Sequence, residues 1–201
     1  MPHLFDELEL RDTTLRNRIA VSPMCQYSCD DMDGLATDWH KVHLGSRATG
    51  GAGLIISEAT AVEPRGRISP QDLGIWSAEH ADALTETTAF IKKHGAVPAI
   101  QLAHAGRKAS TYRPGDRDDR TTVANEDGWT PVGPTEEPYP YEQPLDTHKL
   151  TTEEVEEVVE SFREGAEHAL DAGFEAAEVH AAHGYLLHEF YSPLTNTRDD
   201  K

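Results

Sequence analysis

Apolar and polar residues run along this chain in blocks whose lengths suit strands and helices in turn. A short apolar stretch from Ile19 predicts a first strand over residues 18–22, followed by a helix over 37–49. Residues 52–58 form a second strand around Gly53-Leu54-Ile55-Ile56. Ser77 is placed to cap a helix over 78–94, with Ala81, Leu84, Thr88 and Ile91 on one face and Gly95 as its stop. Residues 97–102 form the third strand. Thr151 and Glu154 have capping-box spacing, and Val155, Val158, Val159, Phe162, Ala166, Ala169 and Leu170 follow at helical spacing up to Gly173. Residues 174–179 form the fourth strand, and a fourth helix begins near Tyr185.

Strand-helix units in succession imply a parallel sheet covered by helices. The strands are apolar runs, as in sheets buried on both faces. An open doubly wound sheet and a closed barrel both fit this pattern. No Gly-x-Gly-x-x-Gly follows the first strand, which argues against the dinucleotide-binding version. The stretch 104–150 shows no clear periodicity and carries Pro114, Pro131, Pro134, Pro138, Pro140 and Pro144. It follows the third strand at its C-terminal end, so it is expected to overhang the active face.

The chain has 36 acidic and 18 basic residues, a formal net charge of −18. That balance disfavours nucleic acid and anionic membrane as partners. The acids are dispersed and there are few lysines, a pattern expected of a protein from a salt-rich cytoplasm. No apolar run reaches the roughly 18 residues of a membrane span, and the start of the chain lacks a signal-peptide pattern. Two cysteines, Cys25 and Cys29, make neither a disulfide framework nor a zinc site. A cytoplasmic location is the expectation.

Candidate chemistry collects at strand ends, where parallel barrels place it. Ser22-Pro23-Met24-Cys25-Gln26-Tyr27 follows the first strand, and His180-Ala181-Ala182-His183-Gly184-Tyr185 follows the fourth. His180 and His183 suit paired donation to one carbonyl or nitro oxygen. The alternatives are a metal site that would enlist His188, and plain structural histidines. Tyr185 has a hydroxyl able to deliver a proton. Cys25 reads either as a small buried hydrophobe or as a pocket group, with Tyr27 at the rim. Gln101, a polar amide within the third strand, needs hydrogen-bond partners if buried. They are either a planar heterocycle or neighbouring backbone. His104 and Arg107 lie just beyond, as pocket or ion-pair residues.

These segments, together with Glu58-Ala59-Thr60-Ala61-Val62, Asp72-Leu73-Gly74-Ile75-Trp76 and Gln101-Leu102-Ala103-His104-Ala105-Gly106-Arg107, resemble the Old Yellow Enzyme family, in order and over nearly the whole chain. The Cys25 and Tyr27 pattern is closest to its thermophilic-like bacterial branch. It also argues against the related branch that carries an iron–sulfur cluster. The resemblance implies an α/β fold of the (β/α)8 TIM-barrel type, incomplete, with about four βα units. Residues 1–201 would form the N-terminal half of a single FMN-binding domain, with an insertion at about 104–150.

The resemblance implies an ene-reductase that uses NADPH or NADH and non-covalent FMN to reduce the activated alkene of an enone-type or nitro compound. Ser22, Pro23 and Met24 would line the flavin, and Cys25 would touch its ring and tune its potential. Ala59 would pack beside the ring, and Gln101 would bond its pyrimidine edge. His180 and His183 would bind the substrate oxygen, Tyr185 would protonate the α-carbon, and Tyr27 would border the substrate. The family's phosphate grip belongs to a second half not found in this sequence, so this chain alone is expected to hold FMN poorly and turn over little. A homo-oligomer, a separately encoded second half, and a non-catalytic half barrel that acts only with a partner chain complete the expectations. A metal-dependent hydrolase built on His180, His183 and His188 is the rival from another class.

Overall fold

The structure, a computed structural model, describes residues 1–116, 122–123 and 126–200. Its centre is a four-stranded, wholly parallel sheet in the order β3 (Ala20–Val21), β4 (Leu54–Ala61), β5 (Val97–Ala103) and β8 (Ala176–Val179). Helices α1 (Asp38–Thr49), α2 (Ala78–Lys93) and α3 (Thr152–Asp171) supply the crossovers, and a short α4 (Leu186–Tyr191) follows β8. Such an arrangement is a partial βα barrel. A hairpin, β1 (Leu8–Leu10) with β2 (Thr13–Leu15), precedes it. Its three-residue strands carry too little alternation to be read from sequence.

The core lies between sheet and helices. Ile100 and Leu102 of β5 are buried against α2 and α3 with Leu84, Ala169 and Phe174. Ile55 of β4 joins Leu44 and Ala48 of α1 and Ile91 of α2 in a second cluster. Thr151 and Glu154 form the expected reciprocal cap: the Thr151 hydroxyl accepts from Glu154 N–H, and the Glu154 carboxylate from Thr151 N–H.

Three expectations need correction. The second strand runs to Ala61 rather than stopping at 58, because Glu58 is taken up in a register shift between Ser57 and Ala59 and pairing resumes beyond it. The fourth strand starts at Ala176, and all four of its residues are exposed, so the sheet is not buried throughout. Among the described residues it has β5 on one side only, and Val179 stands 53% exposed. The segment after β5 is not featureless: it holds a 3-10 turn at Gly106–Lys108 and a parallel pair, β6 (Val132–Gly133) with β7 (His148–Lys149).

Part of α3's apolar stripe also faces outward. Val159 and Leu170 are exposed, and Val155, Val158, Val159, Phe162, Val179, Leu187 and Phe190 line an almost wholly apolar groove of about 430 Å³ beside the open edge of β8. No helix among the described residues is long and apolar enough to cross a membrane.

Two polar side chains, Arg16 half-buried and Glu189 buried, tie these pieces together. Arg16 donates to Ala48 O and Ala52 O at the end of α1 and to His94 O at the end of α2. It thus places a cation on two helix C-termini. Glu189 of α4 accepts from Arg107 N–H at 3.1 Å, and Gly106, at φ +60°, passes so close that a Cβ there would meet its carboxylate.

Substituting Arg16→Ala is expected to cost about 2–4 kcal/mol, since several charge-assisted bonds to carbonyls are lost together. Arg16→Lys should recover only part, because an ammonium cannot span the fork of acceptors. Urea unfolding checks both. Burial pushes the Glu189 carboxyl up to about 8 from an ordinary 4.5. The folded state therefore holds that proton more tightly, and the stability it contributes is present below the ordinary value and lost as pH rises through about 8. Glu189→Gln should flatten the dependence of the urea midpoint on pH between those limits.

Candidate active site

The residues singled out from sequence converge on the C-terminal ends of the sheet strands. Register puts Ala59 opposite Gln101 and Gln101 opposite Glu178, one row across β4, β5 and β8. Ala59 contributes only a methyl, so the row has a flat floor beside one amide. Gln101 is 8% exposed and donates from Nε2 to the Glu178 carboxylate, a side-chain partner rather than the neighbouring backbone. A glutamate on a strand 77 positions away cannot be assigned to it by sequence reasoning.

Ser22 and Met24 are exposed and Pro23 half-buried on the segment leaving β3. Cys25 packs on a small cluster of Ile68, Ala105 and Ala109, next to Trp129 and Tyr185. Burial, with the negative charges of Asp72 and Glu58 behind it, pushes the Cys25 thiol up to about 12. Cys25 is therefore a neutral thiol at physiological pH and not an activated nucleophile. It bonds to the Ala59 backbone and to the Tyr27 side chain. Tyr27 sits at φ +53°, a left-handed position that turns the chain sharply.

Across the site, His180 is buried at the end of β8. Its ring centroid lies 5.1 Å from that of His183 and 5.1 Å from that of Tyr185, both edge-on. The N–H of Ala182 points at His180 Nδ1, 3.4 Å away, which leaves the ring proton on Nε2 as a donor. Burial, then the neighbouring His183, holds His180 below the ordinary imidazole range, so it is neutral. The turn that presents His183 and Gly184 is left-handed at both residues and fixed from two sides. Lys108 Nζ donates to His183 O at 2.8 Å, and Gly184 N–H donates to His188 Nδ1 at 2.8 Å. His188 is thus a turn-holding residue. Among the described residues no cluster of three or more His, Cys, Asp or Glu is placed to hold a metal.

Lys108 is the residue sequence reasoning missed. Its ammonium lies 4.7 Å from the Tyr185 ring centroid and 5.2 Å from that of Tyr139. The available signal was its position immediately after the Arg107 that ends a motif. His104 and Arg107 resolve as structural. His104 bonds Glu63 through Nε2 at 2.7 Å and accepts from Gly106 N–H. Arg107 reaches Glu137 and lies over the Tyr139 ring.

Trp129, from the long segment after β5, donates to Arg65 O and packs in the Cys25 cluster. Beneath Cys25 lie two buried carboxyls. Burial raises Glu58 to about 8 and Asp72 to about 6.

Residues 3–201 match the NADH:flavin oxidoreductase / NADH oxidase family. An NADPH dehydrogenase of Geobacillus sp. (strain WCH70) is 46% identical over 198 residues, covering 98% of this chain and 53% of that protein. An NADPH dehydrogenase of Listeria welshimeri is 48% identical over 201 residues, covering 100% and 54%. Morphinone reductase in complex with tetrahydroNAD superposes with a TM-score of 0.85 at 28% identity, over 100% of this chain and 55% of that one. The old yellow enzyme homologue from Zymomonas mobilis gives 0.83 at 31% identity, over 99% and 54%. The chain spans about half the length of the curated relatives it matches. With the parallel half-sheet, its helices and the ordered strand-end motifs all accounted for, the chain belongs to the NADH:flavin oxidoreductase / NADH oxidase family, of Old Yellow Enzyme type.

Proposed function

We propose that this chain is the ring-facing and substrate-facing half of an FMN-dependent NAD(P)H oxidoreductase acting on activated alkenes of α,β-unsaturated carbonyl or nitro compounds. The observation that carries the reading is the gathering of Cys25, the Ala59–Gln101 row and the His180–His183–Tyr185 cluster at one end of one parallel sheet. The site suits a planar, hydrogen-bonding ring: a flat floor at Ala59, a half-buried neutral thiol at Cys25, and an amide at Gln101 able to donate and accept. Ser22, Pro23 and Met24 would lie along the same ring. Bound FMN supplies the hydride-carrying ring between the nicotinamide and the alkene.

This chain's own residues do the remaining work. His180 offers an Nε2–H, and His183 a second imidazole, to the oxygen on which negative charge develops. Tyr185 holds the proton destined for the carbon next to the activating group, and Lys108 places a cation beside that donor. Tyr27 borders the substrate. Trp129, in the segment after β5, would shield the Cys25 side of the site from water, within a single barrel domain to which residues 1–201 contribute the first half. The acidic composition and free cysteines support a reducing, cytoplasmic setting.

The open edge of β8 and the adjoining apolar groove are where the remaining βα units would seat, whether in the same chain or in a second one. The purified chain mixed with FMN is expected to lose the visible flavin band on desalting. The same chain co-expressed with the complementary half of the Geobacillus relative should keep it. Strong reductase activity in the monomeric chain alone, or no flavin retained by the reconstituted pair, would overturn the reading. In the reconstituted pair, Tyr185→Phe should lower alkene turnover by about 10²-fold or more, while flavin bleaching by NADPH proceeds at the parent rate. Stopped-flow of the two half-reactions checks this.

A further inference from the structure

Glu58 belongs to a sequence motif of the family, yet the site as described gives it no task. It is the extra residue of the β4 register shift: Ser57 pairs with Ile100, Ala59 with Gln101, and Glu58 with nothing on β5. A bulge re-aims the side chain it carries. Here the Glu58 side chain is 4% exposed and lies under the loop that leaves β3. Its Oε1 accepts from Gln26 N–H at 2.9 Å, and the Tyr27 N–H also bonds this carboxyl. The Thr60 hydroxyl closes the bulge by donating to Glu58 O at 2.7 Å.

Behind it stands His40, 1% exposed, with Nε2 facing Glu58 Oε2 at 3.6 Å and making no hydrogen bond among the described residues. His40 Nδ1 accepts from Thr37 N–H, so the Nε2 proton faces the carboxyl. The same bulge sets the position of the Ala59 backbone, which bonds to Cys25. One residue therefore holds the Cys25 loop at two points, through its carboxyl on Gln26 and Tyr27 and through its main-chain bulge on Cys25.

We propose that Glu58, backed by His40, is a positioning residue that locks the Cys25–Tyr27 loop in the geometry it presents to the ring and the substrate. That the locked thiol faces a flavin rests on the proposed function; the lock itself does not. Glu58 Oε1 takes the Gln26 amide, while Oε2 faces His40 Nε2 at 3.6 Å. A glutamine can still offer one oxygen to the loop amides, but it turns a donor toward the donor on His40. An alanine offers nothing.

The experiment is iodoacetamide labelling of the chain, with the sites of modification resolved by mass spectrometry. Cys29, buried to 1% exposure, reports on general unfolding in the same molecule. Both variants remove the Glu58 charge that raises both thiols, so the lock is read from the difference between them: Glu58→Ala, which loses the oxygen as well, should label Cys25 about tenfold faster than Glu58→Gln, with Cys29 alike in the two. An equal Cys25 rate in both variants, or Cys29 rising in step with Cys25 from Gln to Ala, would overturn the proposal. Should neither variant fold, amide exchange in the parent chain decides: Gln26 and Tyr27 amides protected as a pair support the lock, and rapid exchange of both overturns it.

In the reconstituted, flavin-loaded pair, Glu58→Gln should shift the flavin reduction midpoint while the visible band is retained. An unshifted midpoint would overturn the link between the lock and the ring. Absence of flavin from the parent pair would instead overturn the proposed function and leave the labelling result standing.

Discussion

The parallel pairing of β4 with β5 is the constraint on which the rest of the molecule depends. Among the described residues it is the longest ladder and the only one with a strand paired on each side of both members. Its register decides which residues share a row at the C-terminal end. Seven residues of β5 are buried, so their side chains have one arrangement compatible with the helices on one face and the site on the other. A slip by one position would send Gln101 into the apolar layer occupied by Ile100 and Leu102. The single extra residue at Glu58 lets β4 keep that pairing while turning a carboxyl under the neighbouring loop.

Much of this was legible in the sequence where the signal is local. The α3 start follows from two side chains three residues apart, and both of their hydrogen bonds form. The buried face of α2, with Ala81, Leu84, Thr88 and Ile91, follows from spacing alone. The site motifs were recognisable because each sits just past an apolar run. What could not be read are the long-range pairings. The partner of Gln101 is Glu178, and the partner of the Glu58 carboxyl is the backbone of Gln26 and Tyr27. A charged residue after Leu54-Ile55-Ile56-Ser57 reads as a strand end, and only the bulge shows why the strand continues. Lys108 was overlooked for a related reason: a lysine in a proline-rich segment reads as surface until the turn of His183 is brought against it.

The apolar groove and the open β8 edge explain why α3 shows a wider apolar stripe than its contacts require. Val155, Val158 and Phe162 are partly or fully buried against Leu150 and Leu186, while Val159 and Leu170 stand 64% and 69% exposed. Val179 faces the same side. A stripe that continues past its own core is the surface on which the proposal seats further βα units.

Three carboxyls are buried near the site, and each is pushed upward by burial: Glu58, Asp72 and Glu189. Burial of an ionisable group is unfavourable, so their positions call for a reason other than stability. In each case the carboxyl accepts from main-chain N–H groups just where a regular element has ended. Glu58 takes those of Gln26 and Tyr27; Asp72 takes those of Ile68 and Ser69; Glu189 takes that of Arg107. Each held segment bears or abuts a site residue: Tyr27 and Cys25 in the first, Ile68 against the Cys25 cluster in the second, Lys108 in the third. Parallel strands stop abruptly at the active end, leaving loops without a ladder to fix them. A buried carboxyl, with several lone pairs and a rigid setting, does for such a loop what a neighbouring strand does for an edge. The same groups that cost the fold stability near neutral pH are the ones that keep its site residues in place.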